Sequence, residues 1–308
     1  MDQADCTLDN AGWAGAAPRL SVLIPFHRHD PSALIGRLDA AMAPVEIVAL
    51  DDGSDDPALA AATSAAVGEL ATPARLVRLA RNRGRAAGRN RLAAEARGRW
   101  LLFLDADMLP DAPDFLWRWL EVAERQSPAV AFGGFSLAQA PRGRAYAVHR
   151  ALALKSDCLS AQARRRTPEK YVFSSNLLIR RDVFEAEPFD PAFVGWGWED
   201  VEWGIRVSRR WPIEHVDNPA THLGLGSAAE VAAKFEQSGA NFARVVAAHR
   251  DVVRAWPSYR AARAITRAPL RRLWRPLLKG AALAPAAPAQ LRAFALRLYR
   301  AALYAEYV

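Results

Sequence analysis

The chain has 308 residues, of which 51% are hydrophobic and 24% are charged. This composition predicts one large α/β domain with an appendage, or two modest domains, and it excludes a disordered chain. The formal net charge is +8, but from Arg250 onward there are 12 Lys and Arg against two Asp and Glu. That segment therefore carries +10 and the rest of the chain about −2, and a nearly neutral body argues against a protein that coats nucleic acid.

The first 18 residues are small and polar, and they predict a loose leader. Residues 1–10 carry three acids and no basic segment, which argues against a secretory signal. No apolar run reaches the roughly 18 residues that span a bilayer. The two cysteines, Cys6 and Cys158, stand far apart, so neither a disulfide framework nor a zinc ribbon is expected. These features fit a cytoplasmic protein that is soluble or peripherally attached to a membrane.

Apolar runs alternate with Ala-rich segments over the first hundred residues, which predicts strands alternating with helices. The predicted strands are Leu20–Ile24, Val45–Leu50, Arg75–Leu79 and Trp100–Leu104, and the predicted helices are Ser32–Met42, Pro57–Leu70 and Arg85–Ala96. This alternation is typical of a mostly parallel, Rossmann-like sheet with helices on both faces. Ligands of such sheets bind beyond the carboxyl ends of the strands.

Further strands are predicted at Val130–Phe135, Phe173–Ile179 and Ile213–Val216, and a helix at Asp200–Arg210. From Ala228 to the end the composition is helical, with breaks at prolines. We therefore divide the chain into a leader at 1–18, an α/β domain at 19–227 and a basic helical extension at 228–308.

Polar clusters stand at the predicted carboxyl ends of the strands. Residues 105–107 read Asp-Ala-Asp after a buried strand, and two such carboxylates face the same way and can share Mg²⁺ or Mn²⁺. Residues 51–54 read Asp-Asp-Gly-Ser, which suits either hydrogen bonds to a nucleoside or a turn with a helix cap. Residues 81–90 are rich in arginine and open a helix, an arrangement suited to a diphosphate; the alternative is a solvated basic face.

The string at 195–202 reads Gly-Trp-Gly-Trp-Glu-Asp-Val-Glu and is the densest unusual segment. Tryptophan faces stack on sugar rings, and an acid among aromatic side chains can have its pKa tuned for base catalysis. A capped helix with a tryptophan anchor is the alternative. Farther on, His222 could supply a third ligand to the pair of carboxylates at Asp105 and Asp107.

Taken in order, these strings resemble the GT-A glycosyltransferases of family 2. The resemblance covers about Leu20–Gly224 and includes Asn-x-Gly-x-Ala-x-x-Arg-Asn at 82–90 and Trp-Gly-x-Glu-Asp at 196–200. It implies a GT-A fold with a nucleotide-binding half at 19–110, an acceptor-binding half at 111–227 and a C-terminal helical extension. The later part of the match also resembles the galactosyltransferase-type segment of chondroitin polymerases and β-1,4-galactosyltransferases.

The resemblance implies a role for each matching position. Asp200 would be the general base, and Glu199 would bind hydroxyls of the acceptor or donor. The expected donor-binding residues are Pro25, Asp51, Asp52, Arg83, Arg89, Asp105, Asn176 and Trp196. Mn²⁺ or Mg²⁺ would be held by Asp107 and His222, with Asp105 as a further ligand or as a partner toward ribose or metal-bound water.

The implied reaction is transfer of a hexosyl or N-acetylhexosaminyl group, with inversion, from a nucleotide diphosphate sugar to a glycan or lipid-linked acceptor. The resemblance favours a UDP-sugar as donor, and inversion follows because related retaining enzymes tend to have Asn where Asp200 stands. Trp198 stands where relatives often have Gly, so we expect a reshaped acceptor pocket.

Three alternatives remain. A catalytically silent sugar-nucleotide or glycan-binding protein is disfavoured by the intact acids, and a nucleotidyltransferase by the tryptophan-rich string. A module led by the basic tail is disfavoured as the main role by the neutral body, and no nucleic-acid partner is expected. Within the tail, Arg260–Lys279 and Leu291–Tyr304 mix arginine with apolar residues, which fits either a cap on the domain or an anionic membrane surface.

Overall fold

A computed structural model of the protein describes residues 4–39, 44–269 and 271–308. The strands are β1 (Cys6–Asp9), β2 (Leu20–Phe26), β3 (Val45–Asp51), β4 (Ala74–Arg78), β5 (Trp100–Leu104), β6 (Met108–Pro110), β7 (Val130–Phe132), β8 (Phe135–Ser136), β9 (Asn176–Arg180), β10 (Ile213–His215) and β11 (Ala220–His222).

The helices in the first 210 residues are α1 (Ser32–Arg37), α2 (Pro57–Gly68), α3 (Arg85–Glu95), α4 (Phe115–Glu121), α5 (Ala147–Ser156), α6 (Ala161–Arg164), α7 (Arg181–Ala186) and α8 (Glu199–Ser208). A π-helical turn at Val122–Gln126 continues α4, and a 3₁₀ turn spans Pro168–Tyr171. The later helices are α9 (Ala228–Gln237), α10 (Gly239–Ala248), α11 (Arg250–Val253), α12 (Pro257–Thr266), α13 (Arg271–Leu283) and α14 (Ala289–Tyr304).

The large sheet has the strand order β1-β4-β3-β2-β5-β9-β7-β10. Strands β2 to β5 run parallel to one another, whereas β1 and β9 run antiparallel to their neighbours. Because β2, β3, β4 and β5 point the same way, their carboxyl ends meet at one edge of the sheet. The predicted α/β architecture with a largely parallel central sheet is therefore confirmed.

The predicted element bounds shift by a few residues. The strand predicted at Val130–Phe135 is divided into β7 and β8 by two glycines, of which Gly134 has a φ of +97°, a value that favours glycine. The strand predicted at Phe173–Ile179 begins later, at Asn176. The helix predicted at Ser32–Met42 is found as α1, and residues 40–42 of that prediction lie outside the described residues.

The prediction of a loose leader is wrong for Cys6–Asp9. These residues form β1, which pairs antiparallel with β4, with Cys6 opposite Arg78. Without β1, strand β4 would expose a row of unpaired backbone groups at the edge of the sheet. Trp13 follows as a buried residue whose ring lies under the guanidinium of Arg97, 3.7 Å from ring centroid to Cζ.

A small second sheet lies beyond the carboxyl end of β5. Strand β11 pairs antiparallel with β6 and parallel with β8. The register places His222 opposite Met108, so the histidine lies beside the chain just after Asp107.

The predicted helical extension is confirmed from Ala228 onward, and it packs against the α/β domain. One hydrophobic cluster unites Phe242, Leu296 and Tyr304 of the extension with Leu152 of α5 and Ile205 of α8. The extension is therefore a cap, one of the two arrangements that the sequence left open. No helix among the described residues has the length and apolar character needed to cross a membrane.

Candidate active site

A cluster of opposite charges lies at the carboxyl end of β5. Asp105 accepts hydrogen bonds at Oδ1 from Arg89 Nη2 at 2.5 Å and at Oδ2 from Ser175 Oγ at 2.8 Å. Arg85 Nε donates to Glu199 Oε1 at 2.5 Å, and its Nη2 lies 3.8 Å from Asp105 Oδ2. Arg85 and Arg89 are four residues apart on α3 and so share one helix face. The two arginines therefore join the end of β5 to the start of α8.

Glu199 and Asp200 form the first turn of α8 and are both buried, at 3% and 8% exposure. Burial and the charge of Glu199 raise the pKa of Asp200 to about 6, against the opposing effect of Arg89 and Arg85. Among the described residues, Glu199 Oε2 and Asp200 Oδ1 have no hydrogen-bond partner. Buried polar atoms without partners are costly and rare, so these oxygens are available to a bound hydroxyl group.

The loop before α8 is held in an unusual backbone conformation. Gly195, Gly197 and Trp198 have φ values of +78°, +90° and +78°, and a tryptophan in this region is strained. Asn241 of α10 steadies the loop by donating Nδ2 to the Gly197 carbonyl at 2.9 Å. The helical extension thus fixes the backbone that carries the two acids.

The two tryptophans of this loop face the helical extension. Trp198 Nε1 donates to the Tyr304 hydroxyl at 2.8 Å, and its ring packs against Phe242 at a centroid distance of 4.9 Å. Trp196 packs against Phe235 at 6.2 Å. The ring of Trp198 therefore anchors the loop to the extension, and its predicted effect on an acceptor pocket stays a prediction. Trp196, expected to bind the donor, is half-buried in the same helical cluster.

Asp107 and His222 form the second polar pair of the site. Their Oδ2 and Nε2 atoms lie 3.2 Å apart, as the register of β6 and β11 requires. Burial opposes ionisation of Asp107, but the hydrogen bond and charge of His222 outweigh it and lower the pKa to about 2. Asp107 in turn raises the pKa of His222, against the effect of burial.

The Asp107–His222 pair fits a divalent cation. A Cβ on Gly224 would overlap Asp107 Oδ2 and lie 3.0 Å from His222 Nε2, so glycine keeps the space around both ligand atoms open. A carboxylate suits Mg²⁺ and Mn²⁺, and an imidazole is a common ligand of divalent transition metals. The described residues hold no assembled set of three metal-ligating side chains, and Asp105, predicted as a ligand, is engaged by Arg89 and Ser175 instead.

Asp51 and Asp52, predicted to bind the nucleoside, both hold their own loops. Asp51 Oδ1 accepts from the backbone and side chain of Ser54 at 2.9 and 2.5 Å. Asp52 accepts backbone N–H bonds from Arg83 at 2.7 Å and Gly84 at 2.9 Å. Burial raises the pKa of Asp52, and these two N–H bonds oppose the rise. Both carboxylates therefore shape loop ends at the carboxyl edge of the sheet, and their predicted contacts with the nucleoside stay predictions.

Three further donor candidates differ in placement. Pro25 lies next to the last residue of β2, partly exposed at the carboxyl edge. The Arg83 guanidinium forms an ion pair with Asp5 at 2.9 Å, and among the described residues it pairs with none of the acids around Asp105. Asn176 is fully buried.

The side chain of Asn176 is occupied by the scaffold. Its Oδ1 accepts from Trp119 Nε1 at 3.2 Å, and its Nδ2 donates to the carbonyls of Gly134 and Asn218 at 3.0 and 2.9 Å. The amide of Asn176 therefore joins β9 to α4, to the chain after β7 and to the β10–β11 loop, and its predicted role in donor binding stays a prediction.

Arg85 and Ser175 were not predicted as site residues. Arg85 carried one usable signal, its spacing of four residues from Arg89 on a predicted helix. Its partner Glu199 lies 114 residues away in the chain, and no local pattern indicates that contact.

A family model described as Glycosyl transferase family 2 matches residues 21–187, which is 167 of the 308 residues. The chain belongs to glycosyl transferase family 2. The matched span runs from β2 through α7 and contains Asp105 and Asp107 as well as Arg85 and Arg89 of α3.

This family 2 glycosyltransferase is also similar to individual proteins. It is 41% identical over 88 residues to the succinoglycan biosynthesis protein ExoO of Rhizobium meliloti strain 1021, a match that covers 28% of this chain and 24% of that relative. The chain thus spans about a quarter of the relative's length.

Two solved structures share the fold. The first, a mannosyltransferase from Pyrobaculum calidifontis in complex with GDP-Man and Mn²⁺, has a TM-score of 0.57 at 17% identity and covers 97% of this chain and 90% of its own. The second, a mycobacterial protein, has a TM-score of 0.50 at 18% identity, with coverages of 74% and 75%. Together with the family match, these likenesses confirm the predicted GT-A fold.

Proposed function

We propose that this family 2 glycosyltransferase transfers a sugar with inversion from a nucleoside diphosphate sugar to an acceptor hydroxyl, with Asp200 as general base. The observation that carries the proposal is the environment of Asp200. It is a buried carboxyl with a pKa raised to about 6 and one oxygen without a partner among the described residues, beside two arginines. A base of this strength is mostly ionised at neutral pH yet more basic than an ordinary aspartate.

In the proposed reaction, Asp200 accepts the proton of the acceptor hydroxyl as that oxygen attacks the anomeric carbon. The bond between this carbon and the diphosphate breaks in the same step, and the electron pair leaves with the diphosphate. Glu199, fixed by Arg85 at 2.5 Å, would orient a hydroxyl through its unpartnered oxygen. Arg85 and Arg89 would face the leaving group, where guanidinium groups stabilise the growing negative charge.

Asp107 and His222 are the residues we propose to hold Mn²⁺ or Mg²⁺, with donor phosphate oxygens as the remaining ligands. A bound cation would stabilise the charge of the leaving diphosphate. Asp105 would act beside the cation by holding Arg89 and by reaching ribose or a metal-bound water. The Mn²⁺ in the structurally similar mannosyltransferase supports this proposal.

The donor we propose is a UDP-sugar, with a hexosyl or N-acetylhexosaminyl group. GDP-mannose is the second candidate, because the structurally similar mannosyltransferase was solved with it. The acceptor would be a glycan or a lipid-linked saccharide in polysaccharide assembly, which the partial match to a succinoglycan biosynthesis protein supports. The proposed location is the cytoplasm, at the face of the membrane that carries the acceptor.

The test is a donor-hydrolysis screen across UDP-, GDP- and dTDP-sugars, with Mn²⁺ or with EDTA. We expect release of nucleoside diphosphate from one donor with Mn²⁺ and little release with EDTA. Asp107→Asn and His222→Ala should each weaken Mn²⁺ binding, measured by calorimetry, by at least the roughly 10- to 100-fold that loss of an outer-shell partner costs. Asp182→Asn, at an exposed carboxylate of α7, is the matched control.

Two results would contradict the proposal. If EDTA left donor hydrolysis unchanged, the proposed metal dependence would be wrong. Donor binding without turnover of any donor, with any acceptor offered, would favour the silent binding protein.

A further inference from the structure

The outer side of the helical extension carries an apolar ridge, defined as Leu273, Trp274 and Leu277 of α13 with Leu291 and Phe294 of α14. These side chains are 41% to 67% exposed. Their spacings of one, three and four residues place each group on one helix face. Single exposed apolar residues are ordinary, but five of them in two groups, each near the start of one of two neighbouring helices, indicate a partner surface.

The two helices lie side by side in opposite directions. Arg275 near the start of α13 pairs with Glu306 just after α14 at 2.5 Å, and Arg292 Nε donates to the Ala282 carbonyl at 2.9 Å. Their inner faces, including Ala282 and Leu296, are fully buried in the cluster shared with the α/β domain. The ridge therefore lies on the outward side of a helical hairpin whose inward side is already packed.

The chain segment that carries the ridge is rich in positive charge, although Lys279 pairs with Glu236 at 2.7 Å and Arg275 pairs with Glu306. Residues 252–305 contain eleven Lys and Arg and no Asp or Glu. Arg254, Arg260 and Arg267 of this segment are exposed. Next to the start of α14, a shallow groove is lined by Arg142, Arg150, Leu154 and Lys155 together with Ala289 and Gln290.

We propose that the apolar ridge docks on the surface of an anionic lipid bilayer. Leucine, phenylalanine and tryptophan on one face, with arginine around them, are the composition of helices that lie in a membrane interface. The acid-free stretch of positive charge complements anionic head groups. This surface would hold the enzyme near a lipid-linked acceptor, so its purpose rests on the proposed function, although its binding can be measured without catalysis.

The experiment is vesicle sedimentation of the full chain with phosphatidylcholine alone and with added phosphatidylglycerol. We expect about tenfold stronger binding or more to the anionic vesicles, and loss of that preference at high salt. The double variant Leu277→Glu, Phe294→Glu should bind anionic vesicles at least about tenfold more weakly.

The matched control is Trp117→Glu, which changes an exposed apolar residue of α4 (48% exposed) outside the ridge, and it should bind as the wild type does. Circular dichroism and the melting temperature show whether each variant is folded. Hydrolysis of the donor in solution should be unchanged in all of them, so failure of the ridge and failure of the enzyme are told apart.

The proposal is overturned if the wild type ignores anionic vesicles, or if the ridge variant binds them as well as Trp117→Glu does. It is also overturned if the wild type forms a dimer that the ridge variant abolishes while neither sediments with lipid, because the ridge would then be a surface for a second copy of the chain.

Discussion

Asp200 lies in the first turn of α8. Burial there disfavours its ionised form and raises its pKa, so the carboxylate is a stronger base than an exposed aspartate. A general base acts only when it is ionised, so kcat/KM for transfer should rise with pH through about 6 and then level off. Asp200→Asn should lower the rate of sugar transfer by a factor on the order of 10²–10⁴ and leave donor binding intact. Initial rates against pH and calorimetric donor titration measure these effects. Near wild-type turnover in the variant would show that another group is the base.

The same residue should destabilise the folded protein at neutral pH. The pKa of Asp200 is about 6 in the folded protein and about 3.9 in the unfolded chain. Protonated Asp200 therefore contributes to the free energy of unfolding fully below about pH 4, and this contribution is lost as the pH rises through 6. Asp200→Asn should therefore melt at a higher temperature than the wild type at pH 7.5, with a gain that shrinks toward pH 4. Thermal melts at both pH values test this.

Asp182→Asn is the control for that comparison. The Arg180 hydrogen bond, opposed by burial, lowers the pKa of Asp182, so neutralising this exposed carboxylate should give no gain at pH 7.5. An Asp200→Asn variant less stable than the wild type at pH 7.5 would mean that the arginines compensate the buried charge fully.

The residue scale also shows where sequence reasoning succeeds and where it stops. Local strings predicted that Asp200, Glu199, Asp107 and His222 belong to one site. The structure places Asp107 beside His222 and Asp200 next to Glu199 in the first turn of α8, and their chemical roles stay predictions. Asn176 shows the limit, since a polar residue at that edge looks the same in sequence whether its amide is free or already hydrogen-bonded. Only the fold brings Trp119, Gly134 and Asn218 to Asn176.

At the scale of elements, the start of α8 depends on α14. Trp198 adopts φ +78°, which glycine would adopt without strain, yet its ring packs on Phe242 and bonds to Tyr304. Trp198→Gly should lower the free energy of unfolding by about 2 kcal/mol, because lost packing of a half-buried ring exceeds the relieved strain. Urea denaturation measures this change.

Tyr304→Phe is the matched control for that loop, since it removes the hydroxyl that Trp198 and Ser238 contact and keeps the ring. Tyr304→Phe should lower the free energy of unfolding by about 1 kcal/mol. If Trp198→Gly were as stable as the wild type, the energy of backbone strain at Trp198 would equal the energy gained by packing its ring.

Elements of the central sheet were predictable because long apolar runs bounded by polar clusters leave few alternatives. Strand β1 was missed because Cys6–Asp9 is short and has no apolar run, and its place is set by the open edge of β4. Arg85 illustrates the same limit for the site, because the contact between α3 and α8 joins positions that the sequence separates by more than a hundred residues.

At the scale of the whole molecule, positive charge and hydrophobic packing are divided differently along the chain. The charge is concentrated in the last sixty residues, within the predicted helical extension. The packing does not follow that division, because one cluster contains Val148, Phe193 and Ile205 together with Phe242 and Tyr304. The helices after Gln237 therefore complete the core beneath the loop that leads into Glu199 and Asp200 of α8.

This shared core predicts that residues 19–227 and 228–308 unfold together. Parts that share a buried hydrophobic cluster lose its stabilisation simultaneously, so calorimetry should show one transition with calorimetric and van't Hoff enthalpies in agreement. Tyr304→Ala should lower the transition temperature and keep it single, because it weakens both sides of the cluster. Two transitions in the wild type would show that the extension folds independently. The same conclusion would follow if the variant lost only helical signal while the near-ultraviolet circular dichroism of the domain persisted. Trp198 would then be a contact between two separately folding units.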